Sequence, residues 1–565
     1  MKLFIVLLTG AFMLATGTSD VFAKKKEKVQ TEAKSDTVQT VSKKRNTQYP
    51  RLFKNKRVVT KKGLITIHKI NDKLYFEFPK SLLGRDFLMG SSVSATSNNT
   101  SGLVGQTMTT PLHIRFAIQE DQIYMQNVTP VSRMDVYSNQ SDISRAVAKS
   151  NIAPNMESFK IAAYNMDSTA VVFEVTKFFL ADNKRLPLFD QNSASLEDEK
   201  YGKLELKAIL KKNLSSIRNF YVFDDNLEIN LDMSFYQSLL ANKREVRGGN
   251  VRVKAVYSML LLPEEVMTWR LGDPRLGYTY TKKQKISTEK DGTAFSYLQH
   301  KWNLLPTDKE AYRRGDLVAP RKPVLFYIDS DFPEAWKKAI KEGVNWWNEA
   351  FKMAGFKDAV QTADFPANDT TFYAGNLKYS CIRYVPVNLS KTQSKVWVDP
   401  RSGEIINGTI FVGHDIAKTI ASQRFVQTAQ VDERMRGIQL SEEALLEGIR
   451  LYVAREVGHC LGLADNASAS AAFSVESLRS PEFTRQNGIA SSVMDELPYN
   501  YIAQPQDGKA DFIQNKLGAY DLFAIQMGYM LVPDAKTPEE IREKIMRWVS
   551  MKSGDPVYRY GKAQY

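Results

Sequence analysis

The hydrophobic residues of this chain change their period once, and the change divides it into two halves that must bury themselves differently. From Gly63 the apolar positions alternate with polar ones, which builds strands with one buried face. Ile65 and Ile67, a turn at Asn71-Asp72, then Leu74, Phe76 and Phe78 read as a β-hairpin. Ile114, Phe116 and Ile118, a turn at Glu120-Asp121, then Ile123 and Met125 read as a second. Further strands are expected at residues 171–180, 219–223, 227–235 and 251–262, with a helical or irregular stretch near 199–214. No repeat is strict enough for a propeller or solenoid. His68, His113 and His300 are scattered through this half and read as surface or structural histidines.

The second half begins after a polar, charged stretch at residues 306–321 that reads as a linker. Residues 324–328 form a short apolar strand. Pro333 is suited to the first turn of a helix, and Trp336, Ile340, Val344, Trp347 and Phe351 then recur at three- and four-residue steps as one buried stripe, stopping before Gly355. Strands are expected at 381–387, 395–399 and 408–412, with a turn at 400–403, before a second long helix. The expected divisions are a signal peptide at 1–23, a basic disordered tether at 24–50, a small β-rich domain at 51–100 and a β-rich domain at 101–305. The linker at 306–321, an α/β domain at 322–533 and a C-terminal helix or tail at 534–565 complete them.

The N-terminus carries a positive start, an apolar run over residues 3–17 and Val21-Phe22-Ala23 as a cleavage signal, the pattern of an export signal. No later stretch is long and apolar enough to span a bilayer. The expected location is therefore periplasmic or secreted. Of the formal net charge of +14, an excess of +9 sits between Lys24 and Arg57, where twelve Lys or Arg face Glu27, Glu32 and Asp36. Aromatic residues hardly interleave with these cations, which argues for a solvated tether and against a nucleic-acid partner. The only cysteines, Cys381 and Cys460, do not supply a cysteine zinc site. Neither a G-x-S-x-G elbow nor a phosphate-binding loop occurs, so serine hydrolysis and nucleotide chemistry have no footing.

Ser441 is placed to cap the second long helix, with Glu442 and Glu443 in its first turn. The helix runs to about Leu461, and Gly462 ends it. Its end reads Arg455-Glu456-Val457-Gly458-His459-Cys460-Leu461-Gly462-Leu463-Ala464-Asp465, which matches H-E-x-x-H-x-x-G-x-x-H at Glu456, His459 and Gly462. Ser492-Val493-Met494-Asp495 has the form of the methionine turn that lies beneath such sites. In the full pattern two histidines four apart share a helical face and bind one zinc, and the glutamate takes a proton from zinc-bound water. The glycine lets the chain bring back a third ligand.

Here Arg455 holds the first ligand position, and a guanidinium has no acceptor with which to bind a cation. Asp465 holds the third, where an oxygen ligand is acceptable. His459 and Asp465 alone fall short of the three protein ligands of a catalytic zinc. The expectation is that Arg455 takes the metal's place and pairs with Asp465 or Glu456; the alternative is that it turns to solvent from an empty cleft. His459 then reads as a hydrogen-bonded cleft histidine and Cys460 as core, with His414 a disfavoured substitute ligand.

With these residues in view, the chain resembles the bacterial zinc-dependent metalloproteases with an EcxA-like, metzincin-type zinc-binding domain behind two domains of uncharacterised function. Supporting stretches run in order from Leu82-Leu83-Gly84-Arg85-Asp86 through Asp273-Pro274-Arg275-Leu276-Gly277-Tyr278 and Trp346-Trp347-Asn348-Glu349-Ala350-Phe351. They continue in residues 399–405, 455–466 and 518–529. The resemblance implies an α+β chain, a β-rich N-terminal region followed by a metzincin-like α/β metalloprotease domain, and zinc-dependent peptide hydrolysis. By position Glu456 would be general base, His459 and Asp465 metal ligands, and Met494 the methionine of the turn. Val396, Trp397 and Val398 would lie on the cleft strand that receives an extended peptide. Relatives carry more sequence after the position of Tyr529, so a C-terminal module is expected to be missing. Three functions compete: an inactive homologue that binds peptide or protein partners in the cleft, a metallopeptidase with a variant metal site, and a scaffold acting through the N-terminal β region. The oligomeric state is not legible.

Overall fold

In the computed structural model the described residues are 48–562, without 99–103, 106–108, 130–133, 137–140, 190–195, 199, 201, 287–292, 370–371, 387–391, 438 and 509. The expected signal peptide and nearly all of the basic tether lie outside them.

Both hairpins form as expected. Thr66–Ile70 pairs with Lys73–Pro79, and Leu112–Gln119 with Gln122–Asn127; Asn71 and Glu120 turn the chain with positive φ. They join an antiparallel 13-stranded sheet that also contains the long pair Asn226–Ala241 and Arg244–Leu261. So wide a sheet curls rather than staying flat. Its early and late parts meet where the Leu64 amide donates to the Phe223 carbonyl at 2.6 Å and Lys69 donates to the Ile217 carbonyl at 2.7 Å. Phe78, Phe116, Phe173, Leu231 and Tyr257 fill one core inside the curl.

Two expectations fail here. Residues 171–180 are not one strand: pairing ends at Glu174, and Thr176–Phe179 turns into a short helix that buries Phe178 and Phe179. Residues 202–210 are not helical or irregular: Gly202–Leu210 pairs with Asn226–Ala241, burying Leu204 and Leu206 between exposed Lys203, Glu205 and Lys207. The three scattered histidines are structural rather than surface groups. His68 lies between Thr60 and Glu77 at 2.8 and 2.9 Å, His113 meets Asp86 at 2.9 Å, and His300 lies between Thr279 and Thr281 at 3.0 and 2.9 Å.

The second half is built on a five-stranded sheet in the order Val360–Asp364, Val324–Ile328, Ser380–Val385, Glu404–Gly413, Thr392–Asp399. The first four run parallel and the last is an antiparallel edge. The Trp336-to-Phe351 stripe packs against Ile449, Val453 and Val457 of the helix Glu442–Cys460. Its helix is interrupted at Trp346, giving Glu334–Asn345 and Trp347–Met353. The buried Trp347 indole donates to the Ala454 carbonyl at 2.9 Å, which satisfies its N–H between the helices. Residues 306–321 fold onto this half, with Pro306 bridged to Pro320 and Tyr312 donating to Ala354 at 2.6 Å.

The fold is thus α+β. The two halves share a seam in which Trp397 packs against Leu88, Leu260 and Leu262, and Arg401 reaches Asp86 at 3.3 Å. Among the described residues no helix is long and apolar enough to cross a membrane. Cys381 and Cys460 are both buried and unbonded to each other.

Candidate active site

The helix Glu442–Cys460 positions the site. The Ser441 side chain accepts the Ala444 amide, one of the orphan donors of the first turn, and Glu442 and Glu443 there match the positive end of the helix dipole. Four residues of separation bring Arg455 and His459 to one face. Gly458 lies directly over Met494 and Trp347, and an added Cβ would overlap the Met494 sulfur. Met494 is fully buried, as an apolar floor should be. The turn that carries it is pinned by Asp521, which accepts from the Val493 and Gly518 amides at 2.8 Å each and from the Ser492 hydroxyl.

The helix stops at Leu461. Gly462, at φ 95°, turns the chain where its Cα lies against the His300 carbonyl, leaving no space for a side chain. The returning segment is sewn to the first half: Thr279 donates to the Gly462 carbonyl and the Ala464 amide donates to Gly277, each at 2.8 Å. The Asn466 amide donates to the Met494 carbonyl at 2.8 Å. The string ending Gly277-Tyr278 therefore serves to hold the loop that presents Asp465.

Arg455, His459 and Asp465 come together. The Arg455 Nη2 donates to Asp465 Oδ1 at 2.7 Å, and His459 Nε2 lies 3.2 Å from the same oxygen. His459 Nδ1 lies 2.9 Å from the Leu463 carbonyl, an acceptor only, so Nδ1 carries a proton. The hydrogen bond from His459 and the charges of His459 and Arg455 hold the Asp465 carboxyl down at about 2. Burial disfavours the His459 imidazolium, but Asp465 and the nearby Glu456 charge outweigh it and raise its pKa. Glu456 is nine-tenths buried and accepts from the Thr392 hydroxyl at 2.9 Å. Cys460 is core. His414 is engaged elsewhere, bonded to Tyr384 at 2.6 Å and stacked on Trp336.

The donor set can be tested against zinc. His459 keeps the backbone-carbonyl partner typical of a metal-ligating histidine, and Asp465 offers an oxygen. The third position is a cation whose charge already satisfies Asp465. Two donors beside a fixed guanidinium do not make the three-ligand site of a catalytic zinc, so the residues present do not fit the metal.

Of the expected cleft strand, Val396 and Val398 are half-buried, whereas Trp397 is buried in the seam between the halves. The residue of Thr392–Asp399 that hydrogen-bonds to Glu456 of the helix is Thr392, which sequence reasoning missed; no local signal singles out a threonine just before the strand expected at 395–399. A cavity of about 290 Å³ opens beside the helix, lined by Thr392, Tyr452, Arg455, Glu456, Val493 and Asp495 among others. Asp495 was legible as the residue after the turn methionine but carried no assigned role.

Residues 437–565, which hold the helix, the returning loop and the methionine turn, match a family described as Met-zincin. Residues 105–307 and 47–96 match two other families, each described as a domain of unknown function. No curated protein and no solved structure matches the chain.

Proposed function

Because residues 437–565 form a Met-zincin domain behind two domains of unknown function, a domain type that implies zinc-dependent proteolysis in its family, we propose that this chain is a metzincin-type protease homologue that has exchanged zinc for an internal ion pair and binds peptide or protein in the former cleft. The observation that carries the reading is the 2.7 Å contact between Arg455 and Asp465. The guanidinium supplies positive charge at the ligand constellation through a charge-assisted hydrogen bond, so the loop after the helix stays anchored without metal. Glu456 has lost the water-activating role its position implies and is held by Thr392 instead.

The edge strand Thr392–Asp399 supports peptide binding: among the described residues it is paired on one side, by Glu404–Gly413. An extended segment can add to such an edge through backbone hydrogen bonds. The proposal includes export to the periplasm or beyond, which rests on the N-terminal signal pattern alone. A scaffold role for the first half is favoured by one observation, a cavity of about 910 Å³ lined by Tyr75, Phe159, Lys160, Lys177 and Arg185.

Elemental analysis of the purified chain beside an Arg455→His, Asp465→His variant tests the main reading. The expected result is no zinc in the native chain and about one ion per chain in the variant. One tightly held zinc in the native chain, with cleavage of an unstructured protein substrate, would sink it in favour of an active variant site.

A further inference from the structure

A cavity of about 530 Å³ opens where residues 263–270 meet residues 301–305, Glu404 and the chain after Tyr529. Its size lies within the roughly 300–1,000 Å³ of small-molecule sites. It shares no lining residue with the cavity beside the site helix. Nine of its fifteen lining residues are apolar or aromatic, among them Met267, Leu304, Leu531 and Ile541, so it offers a mainly apolar wall. Arg270, Lys301 and Glu404 bring charged side chains to that wall.

One of these side chains is unsatisfied. Lys301 is only 6% exposed. Its backbone is paired, with the Lys301 amide donating to the Gly403 carbonyl at 3.0 Å and the Ile405 amide donating to the Lys301 carbonyl at 2.8 Å. Among the described residues its Nζ makes no hydrogen bond and no ion pair, and lies 5.5 Å from the centre of the Tyr529 ring. The nitrogen is not sealed into the core, and the cavity is its open side. A buried ammonium without an anion yields by giving up its proton. Burial does most of this here and the Arg270 charge adds to it; together they outweigh Glu404 and bring Lys301 down to about 7. Arg270 is itself committed, donating to the Met527 and Met530 carbonyls at 2.7 and 2.6 Å. A parallel bridge aligns Lys301 with Glu404, so the two side chains leave the same face of the strand pair. Burial and the Asp399 charge raise the Glu404 carboxyl, against Lys301, Lys322 and Asn303, so it holds a proton to higher pH than an ordinary glutamate.

We infer that Lys301 is a nucleophilic amine that captures small aliphatic aldehydes in this cavity as an imine. An apolar pocket and a neighbouring cation are what activate a lysine for this chemistry. The amine lone pair forms the C–N bond, the carbonyl π pair moves to oxygen, and an amine proton passes to that oxygen to give a carbinolamine. The C–O bond then breaks as Glu404 protonates the departing oxygen, water leaves, and the nitrogen lone pair closes the C=N bond. The Glu404 carboxylate takes back the remaining N–H proton. Amine and aldehyde become imine and water, with no oxidant or reductant. The aliphatic chain lies on Met267, Leu304 and Leu531.

The test treats the full-length chain at about pH 7 with butanal, below the protein concentration, and traps imines as secondary amines with cyanoborohydride. Site-resolved mass spectrometry then compares Lys301 with the exposed Lys309 and Lys378. Lys301 is expected to be labelled about tenfold faster than either, and the margin should shrink towards pH ~10, where ordinary lysines also lose their proton. Labelling of Lys301 no faster than the exposed lysines would overturn the inference. Glycolaldehyde, small but polar, should lose the Lys301 preference; an equal preference for it would overturn the apolar ligand class. Glu404→Gln should slow labelling at Lys301 several-fold and leave Lys309 unchanged, and an unchanged Lys301 rate would remove Glu404 from the step. If that variant proves unfolded by circular dichroism, the comparison of lysines in the native chain still decides.

Discussion

Two carboxylates in this molecule, Asp86 and Asp465, each lie between a histidine and an arginine, and their surroundings make them different devices. Asp86 meets His113 at 2.9 Å, the Arg115 Nε at 2.5 Å and Arg401 from the second half at 3.3 Å, with its side chain 11% exposed. Asp465 meets His459 and Arg455 with its side chain 44% exposed. Burial penalises the Asp86 charge, yet His113 and Arg115 outweigh that penalty and hold its carboxyl far below the ordinary range. The first cluster fastens the two halves together. The second is wetter, should contribute little to stability, and lies at positions that the H-E-x-x-H-x-x-G-x-x-H pattern gives to metal ligands.

The comparison can be broken by stability measurements. Asp86→Ala should cost about 3 kcal/mol in denaturant unfolding, the low end for stripping a buried pair, because Arg115 is partly exposed and Arg401 keeps Asp399 at 2.7 Å. Gly458→Ala should cost about 1–3 kcal/mol by overpacking against Met494 and Trp347. That loss would mean that apolar packing, rather than the ion pair, keeps the cleft in shape. Acid should separate the two carboxylates. The Asp86 pKa is lowered by folding, so its contribution is complete above the unfolded value near 4 and is lost as pH falls below it. Unfolding midpoints between about pH 5 and pH 3 should therefore fall more steeply for the native chain than for Asp86→Asn, and Asp465→Asn should flatten the slope in the same direction but less, because solvent screens its more exposed pair. The smallest effect is expected for Asp465→Ala, within about 1 kcal/mol, as for other exposed pairs. Equal losses for Asp86→Ala and Asp465→Ala would erase the distinction.

Much of the fold was legible because its signals are local. Alternation placed both hairpins, and the stripe from Trp336 to Phe351 placed the helix that packs under the site helix. The Gly202–Leu210 strand was misread because its fully buried residues are only Leu204 and Leu206, with charges between them; its partner strand lies more than twenty residues further on. The 171–180 misreading has the same root, since Phe178 and Phe179 look like strand residues until the core accepts them from a helix.

By itself the sequence determined the helix carrying Arg455, Glu456 and His459, the glycine that ends it, and a residue at the first ligand position of the pattern that cannot bind a cation. These follow from backbone geometry and from a guanidinium having no lone pair to give. Only the tertiary structure decided that Arg455 chooses Asp465, that Thr392 holds Glu456, and that Trp397 belongs to the seam. Those are contacts between residues up to hundreds of positions apart, and whether a charge is paired, buried or wet depends on what the fold brings beside it.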